Sequence, residues 1–131
     1  MNVVLSAIYD RAVGNVNDFA TSIGNRFYFS RAPQNTVFPY CVYYLVTENY
    51  DYTFTEDMEE IVVQFSIFSE ESSTSEIGTI YGYLRDRFDW CTLAIGGYTF
   101  LKMEREFAHR TWLPDEEVWS YVVQYRILIE K

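Results

Sequence analysis

Histidine occurs once in this 131-residue chain, at His109, and cysteine only twice, at Cys41 and Cys91. A single histidine excludes a multi-histidine metal site, and no acid–base partner lies near it in sequence. The cysteines lack CxxC or CxxH spacing and are too few for a disulfide framework. Both sit in apolar stretches and read as buried free thiols. No apolar run approaches the ~20 residues that cross a bilayer, and no N-terminal secretion pattern is present. The chain is therefore expected to stay in the compartment where it is made, away from membranes. The phosphate-cradling GxxxxGK[ST] and GxGxxG loops and the GxSxG elbow are missing as well. Glu59-Glu60 and Asp115-Glu116-Glu117 bear on paired-carboxylate or cation chemistry, but such runs read as solvated charge at strand ends. No catalytic residue, metal or cofactor is expected.

Basic residues are also scarce: ten Lys and Arg against nineteen Asp and Glu, a net charge of −9. The imbalance is local. Between Ala32 and Leu84 there are nine acids and no base, whereas the rest of the chain is neutral. A protein that grips nucleic acid by neutralising phosphates needs clustered Lys and Arg, so that mode is excluded. A surface past which nucleic acid slides is not.

Aromatic residues are abundant, at 19% with twelve Tyr and ten Phe, which suits half-buried sheets and subunit contacts. Length predicts one domain. Val4, Leu5, Ile8, Ala12 and Val13 fall at helical spacing before Gly14. Residues 15–24 are polar with apolar anchors at Val16, Phe19 and Ile23, and Arg26–Phe29 reads as a short extended piece. Ala32–Thr36 is a loop. Phe38–Thr47 is a strand whose near-continuous apolarity predicts cover on both faces. Glu48–Asp57, alternating acids with aromatics, is expected as a long hairpin tip, and Met58–Ser69 as the returning strand, with Ile61, Val63, Phe65 and Ile67 on one face. Ser73 and Glu76 have capping-box spacing before a helix whose stripe is Ile77, Ile80, Tyr81, Leu84 and Phe88. After Gly96-Gly97, residues 98–110 alternate, placing Leu101, Met103, Arg105 and Phe107 opposite Phe100, Lys102, Glu104 and Glu106. A turn at Leu113–Asp115 leads to the last strand, with Trp119, Tyr121, Val123, Tyr125, Ile127 and Ile129 on one face.

The order α-β-β-β-α-β-β predicts an α+β domain: an antiparallel sheet of about four to five strands with two helices packed on one face.

The N-terminal helix, Arg26-Phe27-Tyr28, Ala32-Pro33-Gln34 and Phe38-Pro39-Tyr40, followed by the strand Ile61–Phe68, the helix Ile77–Phe88 and the final strand Tyr121–Ile129, resemble the tail-terminator (tail-completion) proteins of long-tailed bacteriophages. The likeness spans nearly the whole chain, 1–131, as one domain of that type. It implies a non-enzymatic virion protein, made in the host cytoplasm, that caps the tail tube as a ring, commonly a hexamer. Its implied partners are other copies of itself, the tail tube protein, a head-neck connector or stopper protein, and phage DNA passing through a channel without sequence recognition.

Two sets of residues carry the expected contacts. Glu48, Tyr50, Asp51, Tyr52, Phe54, Glu56 and Asp57 are candidates for a channel or inter-subunit loop, where carboxylates would repel phosphates. Lys102, Glu104, Arg105 and Glu106 are candidate interface charges. Competing readings are another phage neck or head-closure protein, an acidic inhibitor that mimics DNA, and a ligand-binding domain with a closed aromatic pocket.

Overall fold

Apolar residues recurring near every 3.6 positions in helices and every second position in strands meet here across one interface. The computed structural model describes residues 2–52 and 57–130, with side chains described for 3–46 and 59–130. Its elements are α1 (Asn2–Val13), α2 (Asp18–Ser22), β1 (Phe27–Phe29), β2 (Tyr40–Tyr52), β3 (Asp57–Ser69), α3 (Ser75–Phe88), β4 (Thr99–Leu113) and β5 (Val118–Glu130). The five strands form one sheet in the order β1-β2-β3-β5-β4, and the architecture is the expected α+β one.

Val4, Ile8 and Ala12 of α1, Phe19 and Ile23 near α2, and Ile77, Ile80, Leu84 and Phe88 of α3 pack on one sheet face. That face presents Cys41 and Tyr43 of β2, the expected Ile61, Val63, Phe65 and Ile67 of β3, and Val123, Tyr125, Ile127 and Ile129 of β5. Phe65 sits at the centre: fully buried, its ring lies 4.9 Å from Phe88, 5.8 Å from Tyr125 and 6.1 Å from Phe27. It thereby joins the middle of the sheet to α3 and to the β1 edge. Both cysteines are buried and free, and burial raises each thiol above its ordinary value.

Several local expectations change. Residues 15–24 contain the extra helix α2, started by Asn17, whose Oδ1 accepts from Ala20 N at 2.9 Å while Nδ2 donates to Ala12 O at 3.0 Å. β1 pairs with β2 in parallel, with Phe27 opposite Cys41; the other three pairings are antiparallel. The capping box does not form. Thr74 is the N-cap and makes no side-chain cap bond, whereas Glu76 accepts from the buried Ser69 Oγ at 2.6 Å. That carboxylate is used to hold the end of β3 against the helix.

Glu48–Asp57 is not all tip: β2 continues to Tyr52 and β3 begins at Asp57, with Glu48 opposite Ile61, Asp51 opposite Met58 and Tyr52 opposite Asp57. The regular alternation read for residues 98–110 is interrupted twice, by register shifts at Phe100/Lys102 and Arg105/Phe107. Each extra residue reverses the facing of the strand beyond it. Phe100 therefore faces the helices opposite Ile129, and Phe107 lies opposite Gln124 on the other side.

Candidate functional site

The sheet has a second face, and no layer of described residues covers it. Register places Tyr40, Val42 and Tyr44 of β2 there, next to Phe68, Ser66, Gln64 and Val62 of β3. Val122, Gln124, Arg126 and Leu128 of β5 come next, and then Lys102, Glu104, Phe107 and His109 of β4. β2 was expected to be covered on both faces. The helices cover only the Cys41 and Tyr43 side; on the other side Val42 and Val62 are buried among their neighbours while Tyr40, Tyr44 and Phe68 stay partly exposed. Tyr40, Val42, Tyr44 and Phe68 there line a shallow recess with Ser30 and Arg31, open to solvent like the other recesses described. A closed aromatic pocket of the kind a ligand-binding domain would need is not found among the described residues.

Polar groups on this face bond to one another. Gln124 Nε2 donates to Gln64 Oε1 at 3.0 Å, and Gln64 Nε2 donates to Ser66 Oγ at 3.1 Å, a row running across β5 and β3. Beside it, Arg126 pairs with Glu106 at 2.9 Å and Glu60 at 3.6 Å, and Lys102 pairs with Glu104 at 3.4 Å. Two cations interleave with three carboxylates here, so each charge on the patch has an opposite neighbour and little of its field reaches beyond it.

Of the four candidate interface charges, three are thus brought together: Lys102, Glu104 and Glu106 share the uncovered face. Arg105 does not join them. It points to the helix side, where Nη1 donates to Tyr81 Oη at 2.6 Å and Nη2 pairs with Asp89 at 3.6 Å. Asp89 in turn accepts from Tyr125 Oη at 2.6 Å. Burial first, and this bond second, push the Tyr125 hydroxyl far above its ordinary value; burial, with the nearby Tyr9 and Asp10, pushes Tyr43 up to about 12. Of the acidic set, Glu48, Tyr50, Asp51, Tyr52 and Asp57 lie on paired strand backbone, with side chains outside the described set; Phe54 and Glu56 lie outside the described residues.

The outer edge of β4 pairs with no described strand, although Met103 O accepts from Trp90 N at 3.1 Å. β1 covers β2 only from Cys41 to Tyr43. The sheet therefore offers a long edge on each side. The β4–β5 hairpin also runs past the helices: residues 107–112 are all exposed, including Phe107 (48%) and Trp112 (39%). Trp112 meets Trp119 edge-on at 5.1 Å, and Arg110 lies over the Trp119 ring. Sequence reading missed Trp112, the exposed Trp90, and the partly exposed Tyr40 and Tyr44. The signal that was present in β2 was an apolar strand with more apolar faces than this chain has layers to cover.

The described residues thus form a small α+β domain with two sheet edges that pair with no described strand, a second sheet face without a helix layer and an exposed hairpin end. Over residues 6–130 the chain matches the family described as tail completion protein gp17, and it belongs to that family. It is a bacteriophage tail protein with a structural role in the virion. Its fold is similar to that of a chain from the virion of a native gene transfer agent particle, with TM-score 0.79 and 12% identity over 96% of this chain and 93% of that one. No curated protein matches the sequence. No described helix is long and apolar enough to cross a membrane.

Proposed function

We propose that copies of this protein form a ring, most simply a hexamer, that caps the finished tail tube, ends its polymerisation and presents the surface to which a head-neck connector or stopper protein joins. The carrying observation is the uncovered sheet face, with an unpaired edge on each side of it. Different edges on one subunit, β4 and the outer part of β2, favour heterologous contacts, which close into a ring when the rotation permits. The tail tube protein meets one end of the ring, and DNA passes through the centre without sequence recognition. Glu48 to Glu60 line that passage in this reading, keeping phosphates from adhering. Assembly takes place in the host cytoplasm and the product stays in the virion.

Light scattering of the protein, alone and with purified tail tubes, tests the ring. A ring in solution, or binding confined to tube ends, is expected; a strict monomer that ignores tubes refutes the proposal. Phe107→Glu places a charge on an exposed site of the contact face, so it should keep the fold and lose end-binding. Neutralising the acids between Glu48 and Glu60 should slow DNA ejection, and unchanged ejection counts against the acidic channel.

A further inference from the structure

The C-terminal turns of α1 and α3 are joined by two arginines in a reciprocal clasp. Arg11 Nε donates to Arg87 O at 2.7 Å, and Arg87 Nε donates to Arg11 O at 2.7 Å. Both carbonyls are among the last four of their helices, which lack intrahelical donors, and cations are favoured at that end of a helix. Helix capping accounts for the two Nε groups, and the Cys91 thiol lies within hydrogen-bonding reach of Arg11. Each guanidinium carries four further N–H donors on its fork, and neither arginine forms an ion pair among the described residues, where Arg105 and Arg126 both do. Two like charges are thus held side by side without a counterion, in a chain with nineteen acids to ten bases.

Arg87 shows the strain of this arrangement: burial first, and the Arg11 charge second, lower its affinity for its own proton. The arginines form the wall of an open recess of about 240 Å³, shared with Asp10, Asn15, Thr92 and Ala94. Asp10 is exposed and makes no ion pair with either. Planar forks of this kind match oxyanions two oxygens at a time.

We infer that the Arg11–Arg87 clasp is an oxyanion-binding site, taking either a free inorganic oxyanion or the side-chain carboxylate of a second copy of this chain. The inference does not depend on ring formation or on tube binding. The clasp supplies the donors, and the recess leaves their forks reachable from solvent. An anion between them would relieve the repulsion and stabilise the folded chain through linkage.

Inorganic phosphate is the probe, titrated against chloride at matched ionic strength and pH 7 while the melting temperature is followed. Phosphate is expected to raise the Tm of the wild-type protein where chloride does not. Substituting an arginine risks the fold, so the decisive variant is Thr92→Asp, at an exposed site in the wall of the recess. Its internal carboxylate should raise the Tm without phosphate and abolish the phosphate response, while Thr92→Ser should respond as the wild type does. A rise independent of protein concentration identifies a free oxyanion as occupant. If the occupant is a carboxylate of a second copy, phosphate and Thr92→Asp will each lower the scattering mass. Absence of any phosphate-specific change in Tm or mass overturns the inference, as does a full phosphate response in Thr92→Asp.

Discussion

Replacing Tyr125 by Phe removes one oxygen from the middle of the molecule and separates a charge-assisted hydrogen bond from the packing around it. The ring is fully buried and stays so in the variant. The lost bond is Tyr125 Oη to Asp89 Oδ1, 2.6 Å long. Hydrogen bonds to charged groups contribute about 1.5–3 kcal/mol. Asp89 keeps Arg105 at 3.6 Å and a side chain 25% exposed, so water restores part of its solvation and the low end applies, about 1.5 kcal/mol. The pH dependence gives a second measure. The folded hydroxyl is raised above its ordinary value of 10.0, by burial and then by Asp89. A raised folded pKa means that the unfolded chain releases this proton first. The associated stability is complete below pH 10 and is lost as pH climbs beyond it, at about 1.4 kcal/mol per pH unit. The variant has no such proton to lose. The gap between wild type and Tyr125→Phe should therefore be about 1.5 kcal/mol at pH 7 and close by about pH 11. Tyr43 and Cys41 contribute their own alkaline losses to both proteins, and the difference cancels them. Urea denaturation at pH 7, 9, 10 and 11, with an unchanged m-value, measures the gap. A gap that stays constant across that range, or is absent at pH 7, refutes the reasoning.

Phe65→Ala opens a cavity where α3, β5 and β1 converge, and should cost about 3–5 kcal/mol in the same denaturation assay; a loss under 1 kcal/mol would show that the centre of this core repacks easily. Asn17→Ala removes the acceptor for Ala20 N together with the tie to Ala12 O, and a loss of about 1 kcal/mol is expected, with amide exchange of residues 18–22 speeding up and that of β3 left alone.

Strand faces were legible because period-2 patterning is a direct readout of burial: Ile61, Val63, Phe65 and Ile67 inward, and the same alternation along β5. α3 was equally plain from its stripe. What escaped was decided by contacts between distant residues. α2 has only five residues, too short for a period to show, and its Asn17 cap is visible only once the helix is known. Glu76 matched a capping box by spacing, yet Ser69 is the hydroxyl it found. Nothing local in residues 98–110 marks Leu101 and Glu106 as the points where register slips, so Phe107 was assigned to the wrong face. The second sheet face was half legible: Lys102, Glu104 and Glu106 lie on it together, whereas Arg105 went to Asp89 on the far side. The apolar character of β2 was read as cover on both faces; helices cover one, and on the other Val42 is buried while Tyr40 and Tyr44 stay partly exposed.

The strand order β3-β5-β4 has a consequence for how the molecule is made. β5, the last described element in the chain, sits inside the sheet between β3 and the β4 edge, with Val123 opposite Phe65. At about 5–20 residues per second, a ribosome delivers Val123 roughly 3–12 s after Phe65. For that interval the inward row of β3 has β2 on one flank and nothing on the other. Nascent chains must wait with an apolar strand half paired, a state open to aggregation until β5 has emerged.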